Sequence, residues 1–207
     1  MSAACIFLRV VIVAVFACSL KDVAALTKPS SVQLKDNGYS GVVVAIHPDV
    51  EENGTVIEII KNMFTEASSV LFNATRSRSY FKNVTILVPD TWADNDTYDS
   101  PKNASFEGAD VIIATRNPRF APDPYQQAAP YTKHYEGCGR QAAHIHFTPE
   151  FLLDPEPTYG SLGRLLVHEW GHYRWGLFDE YPDVIGDPDF YQEYYFDPET
   201  NLFEATR

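Results

Sequence analysis

His168-Glu169-Trp170-Gly171-His172 sets two imidazoles four residues apart with a carboxylate between them. On an α-helix four residues is slightly more than one turn, so both rings project from one face and can reach a single ion. Neutral imidazole nitrogens suit Zn2+, and two from one helix make half of a tetrahedral site. Glu169 falls beside such an ion rather than on it. There it can take a proton from an activated water and later hand it to a leaving amine. Zinc lowers the pKa of a bound water to about 7, which makes hydroxide available at neutral pH. The bland alternative is a chance pentapeptide on a solvated helix. Leu165-Leu166-Val167, directly ahead of the motif, argues against it by making the helix core-packed.

Two imidazoles need a third ligand. Gly176 closes the helix, and Leu177-Phe178-Asp179-Glu180-Tyr181 follows. A glycine that reverses the chain, with a carboxylate three residues on, can swing Asp179 back to the ion. Metzincins use H-E-x-x-H-x-x-G-x-x-H. Here the pattern is H-E-x-x-H-x-x-x-G-x-x-D-E, one residue longer and with Asp in place of the third His. Asp is an acceptable zinc ligand. Glu180 is the alternative ligand, or a partner that orients one of the imidazoles.

The motif has to be carried by a scaffold. A helix over 161–175 fits it, with Ser161 as N-cap and Gly176 at the left-handed position past its end. Gly41-Val42-Val43-Val44-Ala45-Ile46 reads as a buried strand, and Val56, Ile60, Met63, Ala67, Val70 and Leu71 recur at helical spacing over 52–75. Strands are further predicted at 83–88, stopped by Pro89, and at 110–114. A long Pro-rich connection follows over 117–135. His144-Ile145-His146-Phe147-Thr148 alternates and stops at Pro149, as an edge strand would. His144 and His146 share one side of it, which fits a structural role on an edge that aligns substrate better than a second metal. His47 and His134 read as bystanders. The alternation describes one α/β domain, with a mixed sheet, an edge strand and an active-site helix. The acidic, aromatic tail over 187–207 is assigned no fold.

Composition bounds the rest. The chain has 207 residues, is 45% apolar and 14% aromatic, carries a net charge of −12 and holds three cysteines. It is too rich in aromatics to be disordered and too poor in cysteine for a disulfide scaffold. Its negative charge opposes nucleic acid and anionic membrane surfaces as partners. Residues 1–25 read as a signal peptide, with an apolar run too short to span a bilayer and Val23-Ala24-Ala25 as the cleavage site. Arg9, Lys21 and Asp22 leave with it, a net +1, so the secreted chain carries −13. Cys5 and Cys18 leave too. Cys138 then stands alone, either as a buried inert thiol or paired with a cysteine elsewhere in a longer chain. No later segment reaches transmembrane length. Five sequons, at Asn53, Asn73, Asn83, Asn95 and Asn103, fit a glycoprotein of the secretory pathway.

Four stretches together resemble the N-terminal domain of the calcium-activated chloride channel regulators. These are Asn-Gly-Tyr-Ser-Gly-Val-Val-Val-Ala-Ile at 37–46, Tyr-Phe-Lys-Asn-Val at 80–84, Ile-His-Phe-Thr-Pro at 145–149 and, most specific, Val-His-Glu-Trp-Gly-His-Tyr-Arg-Trp-Gly-Leu-Phe-Asp-Glu-Tyr at 167–181. The resemblance covers about 32–181. It implies a zincin-like, metzincin-related metalloprotease domain over 26–186. In it His168, His172 and Asp179 would bind Zn2+ and Glu169 would be the catalytic base. It also implies a secreted or surface-associated glycoprotein that cleaves its own precursor as polypeptide substrate. Such proteins modulate chloride conductance, with a chloride channel as partner, without forming a pore themselves. The family's cysteine-rich part, von Willebrand type A domain and self-cleavage region are not within these residues. The resemblance places the partner of Cys138 there, and reads 187–207 as the start of a truncated following region. The alternative is a non-catalytic secreted module that keeps fold and metal and acts by binding a channel or matrix partner. Retention of Glu169 favours the enzyme, because a structural zinc site needs no base.

Overall fold

The computed structural model describes residues 30–100, 104–116, 128–135 and 138–179, together with the backbone of strands at 9–14, 194–197 and 202–205. In chain order the strands are Arg9–Ala14 (β1), Gln33–Lys35 (β2), Gly38–Ser40 (β3), Val42–Ile46 (β4), Tyr80–Phe81 (β5), Asn83–Val88 (β6), Val111–Ile113 (β7), Tyr131–Lys133 (β8) and His144–Phe147 (β9). The helices are Gly54–Ala74 (α1), Pro149–Leu153 (α2) and Leu162–Trp175 (α3).

The run Val42-Val43-Val44-Ala45-Ile46 is buried at every residue because β4 lies inside the main sheet, whose order is β1-β6-β4-β7-β9-β8. Alternate side chains serve opposite faces. Val42, Val44 and Ile46 join the large core with the apolar faces of α1 and α3, while Val43 and Ala45 pack with Leu87 and Ala109 on the other side. All neighbours in this sheet are parallel except β8, which runs antiparallel to β9. The α-helical spacing over 52–75 is realised in α1. Asn53 caps it by accepting from the Thr55 N–H at 2.9 Å, and Val56, Ile60, Met63, Ala67 and Leu71 are buried. The helix α3 crosses α1 closely at Gly163, whose N–H donates to Glu66 Oε2 at 3.1 Å. A Cβ there would lie 2.6 Å from Glu66 Cβ, so the close approach requires glycine.

The structure corrects the edge strand. Pro149 does not mark a free edge; it opens α2 at its first turn, with Thr148 Oγ1 accepting from the Phe151 N–H at 3.2 Å. The strand before it is paired on both sides, to β7 and to β8. The edge is β8, which lies in the stretch read from sequence as connection. A second, three-stranded sheet of order β2-β3-β5 was also not expected. Its hairpin turns on Asp36 and Asn37, with φ of 50° and 62°, the positive pair that a two-residue turn with Lys35 opposite Gly38 demands.

The backbone of β1, inside the stretch read as a leader, runs parallel to β6 with Arg9 opposite Asn83. The expected cleavage site after Ala25 lies outside the described residues, as do Glu180 and Asn103. In the tail, Tyr194–Asp197 (β10) and Leu202–Ala205 (β11) pair antiparallel as a hairpin of their own. Among the described residues no helix is long and apolar enough to cross a membrane.

Candidate metal centre

Helix α3 is fixed at both ends and on its inner face. Ser161 Oγ accepts from the Arg164 N–H at 3.4 Å, the N-cap that the sequence indicated. At the other end Gly176 is left-handed, with φ 62° and ψ 34°. A side chain there would run into the backbone of Arg140. The carbonyls of the last turn, which a helix leaves unpaired, are met by the segment leading into β9. Gly139 N–H donates to Gly176 O at 3.0 Å and Ala142 N–H to Tyr173 O at 2.8 Å. Arg174 Nη1 donates to the side chain of Gln141. Inward, Leu165, Leu166, Trp170 and Tyr173 are buried, and the Trp170 ring meets Tyr39 and Phe81 edge-on at 5.2 and 4.8 Å. These contacts set the rotation of the helix, and so where the remaining face points.

That face carries the motif. His168 is exposed and His172 half-buried, with Nε2 atoms 3.0 Å apart and ring planes nearly perpendicular. Asp179 follows three residues after the glycine cap. One ligand atom from each of His168, His172 and Asp179 lies within 4.8 Å of the others. Two imidazole nitrogens and a carboxylate are a donor set suited to a catalytic zinc, three protein ligands with a position left open.

Glu169 is only 6% exposed. Thr132 Oγ1, on β8, donates to its Oε2 at 2.7 Å and also approaches its main-chain oxygen at 3.1 Å. Sequence reasoning missed Thr132, because Tyr-Thr-Lys between prolines and polar residues carries no pattern that points to a partner for Glu169.

Two further groups of titratable side chains sit in the sheet. Asp110, fully buried, accepts from Ser30 Oγ at 2.6 Å, from the Val43 N–H at 2.8 Å and from the Tyr173 hydroxyl. Burial raises its pKa, and these donors only partly offset that. Burial likewise pushes the Tyr173 hydroxyl up, helped by the neighbouring Asp110 charge. His144 and His146 are both held down to about 4, first by burial and then by Lys133. The His146 ring stacks on Tyr131 at 4.8 Å. His144 and His146 belong to no metal-holding group among the described residues, while His47 packs its ring edge-on against Phe106 at 5.4 Å.

Of the four described sequons, Asn73, Asn83 and Asn95 are exposed and Asn53 is half-buried as a helix cap. Asn95 Oδ1 accepts from both the N–H and the hydroxyl of Thr97. Cys138, rather than buried, is an exposed free thiol beside the α3 cap.

Residues 32–207 match the family described as calcium-activated chloride channel N terminal. The chain is 48% identical over 181 residues to calcium-activated chloride channel regulator 1 of Bos taurus, covering 87% of this chain and 18% of the relative. It is 48% identical over 174 residues to calcium-activated chloride channel regulator 2 of Homo sapiens, covering 79% and 18%. It is 47% identical over 184 residues to regulator 3A-1 of Mus musculus, covering 87% and 19%. The chain thus spans about a fifth of the length of these relatives. No solved structure matches it. With the match running through both the buried sheet and the His168–Asp179 segment, the chain belongs to the calcium-activated chloride channel regulator family, as an N-terminal domain of it.

Proposed function

We infer that this chain is a zinc-dependent endopeptidase domain of the zincin class, acting on polypeptides. The observation that carries this reading is the pair of Nε2 atoms 3.0 Å apart on α3 with the buried Glu169 one residue along. His168 and His172 would hold the metal, with Asp179 as third ligand. When bound, zinc supplies a Lewis acid that makes water a nucleophile near neutral pH. The chain's own part is to orient and to move a proton. Glu169 takes the proton of the attacking water at its carboxylate and delivers it to the leaving amine nitrogen as the peptide bond breaks. Burial of that carboxylate keeps bulk water from competing for the proton. The mixed sheet with an antiparallel last strand beside the motif helix supports the zincin class.

Secretion by way of the leader, glycosylation at the sequons and processing of its own longer precursor complete the reading. The exposure of Asn73, Asn83 and Asn95 supports modification there. A second reading rests on the relatives' names, which speak of channel regulation. In it the domain keeps its metal and acts by binding a channel.

Zinc per chain, measured by elemental mass spectrometry, and cleavage of a precursor or a peptide mixture decide between the readings. Wild type and Glu169→Gln should each hold one zinc, and the variant should lose about 10²- to 10⁴-fold in cleavage rate. Wild type without zinc, or a variant that cleaves equally well, sinks the enzyme.

A further inference from the structure

We propose that Thr132 is a positioning residue that fixes the carboxylate of Glu169, an inference that rests on the endopeptidase reading. The hydroxyl has one proton, and its shortest contact, 2.7 Å, is with Glu169 Oε2. The same oxygen approaches Glu169 O at 3.1 Å, so a single side chain addresses both ends of one residue. Glu169 is thereby held by an element outside its own helix.

The placement of Thr132 is itself determined. It lies at the middle of β8, opposite Ile145 of β9, and Ile145 has no exposure. Its β-branched side chain has few rotamers, so the hydroxyl direction follows from the strand backbone. The sheet is thus coupled to the α3 residue on which proton transfer depends. A glutamate has three side-chain torsions, and a base acts only within hydrogen-bond reach of its proton.

A hydroxyl that merely glues β8 to α3 makes the opposite forecast: loss of stability with unchanged turnover per folded chain. Thr132→Val keeps shape and removes the donor, and Thr132→Ser restores the donor without the methyl. Both are compared with Glu169→Gln in the zinc-loaded 207-residue chain, using an internally quenched peptide as substrate. Zinc per chain and affinity for acetohydroxamate, whose acidic proton a nearby carboxylate accepts, are read besides turnover. Thr132→Val should lose about 10- to 100-fold in kcat with KM unchanged and zinc retained, and should bind acetohydroxamate about tenfold more weakly. Thr132→Ser should regain wild-type values on all of these.

If Thr132→Val turns over and binds acetohydroxamate like wild type while Glu169→Gln is inactive, the positioning role fails and the protease reading stands. A Thr132→Val defect that tracks a lowered melting temperature and is not rescued by serine also overturns it. A wild-type chain that takes up no zinc and cleaves nothing overturns both.

Discussion

Asp110 and Glu169 are both buried carboxylates that accept a hydroxyl proton, and they are built for different ends. Asp110 is enclosed by donors from three separate parts of the chain: Ser30 near the start of the described fold, the backbone of β4, and Tyr173 of α3. Its oxygens are spoken for, and burial raises its pKa in spite of them. Glu169 lies on the same helix as Tyr173, one turn before it and likewise buried, but it is the sequence neighbour of His168 and has a hydroxyl partner from β8. Burial of a carboxylate is therefore no mark of catalysis by itself. What distinguishes the two is company: a ring of fixed donors ties elements together, whereas Glu169 stands in sequence between two imidazoles whose Nε2 atoms lie 3.0 Å apart, the setting that supports its proposed proton exchange.

The sharpest way to break this distinction is to neutralise each in turn. Glu169→Gln keeps an acceptor for Thr132, so thermal melting should barely move while cleavage falls by the orders of magnitude given above. Asp110→Ala should do the reverse. It strands the Val43 N–H and the hydroxyls of Ser30 and Tyr173 in the core, at about 1–3 kcal/mol for each group that finds no partner. A loss of about 3–5 kcal/mol in denaturant unfolding is expected, with turnover per folded chain preserved at temperatures where it stays folded. Equal stability losses for the two variants would erase the contrast. Tyr173→Phe is the smaller version. It removes one donor and leaves Ser30 and Val43 in place, so about 1–2 kcal/mol should be lost.

The same contrast explains what could be read from residues alone. The motif helix was legible because its signals are local: Ser161 and Gly176 punctuate it, and His168, Glu169 and His172 sit at a spacing set by helix geometry. The buried β4 and amphipathic α1 were legible for similar reasons. The strand β8 was not, since three half-buried residues owe their extended form to pairing with β9 rather than to any pattern of their own. With β8 went both the true edge of the sheet and Thr132. Asp110 was read only as the first residue of a strand, because the groups that surround it come from positions 30, 43 and 173. Long-range partners of a polar side chain leave no trace in local spacing.

His146 provides the mildest test, because it is a buried titratable group whose solution is neither a ring of donors nor a catalytic setting. It is 6% exposed, and among the described residues its Nε2 has no hydrogen-bond partner. A ring N–H donates to the Thr115 carbonyl, which favours protonation, but burial and the facing charge of Lys133 outweigh that. Tyr131 covers the ring, and His144 on the same strand is depressed for the same reasons. The folded ring therefore stays neutral down to about 4, while an unfolded histidine protonates near 6.5. Between those values the unfolded chain binds more protons, so stability declines as pH falls from 6.5 towards 4 and is complete above 6.5. For His146 alone the loss is about 1 kcal/mol by pH 6. Denaturant unfolding at pH 8 and pH 6 should show that decline in wild type and a smaller one in His146→Phe, which keeps an aromatic ring against Tyr131 and removes the titration. A variant with the same pH slope as wild type would mean that His146 is not held neutral by the sheet, and that Lys133 and the buried Nε2 do not act as described.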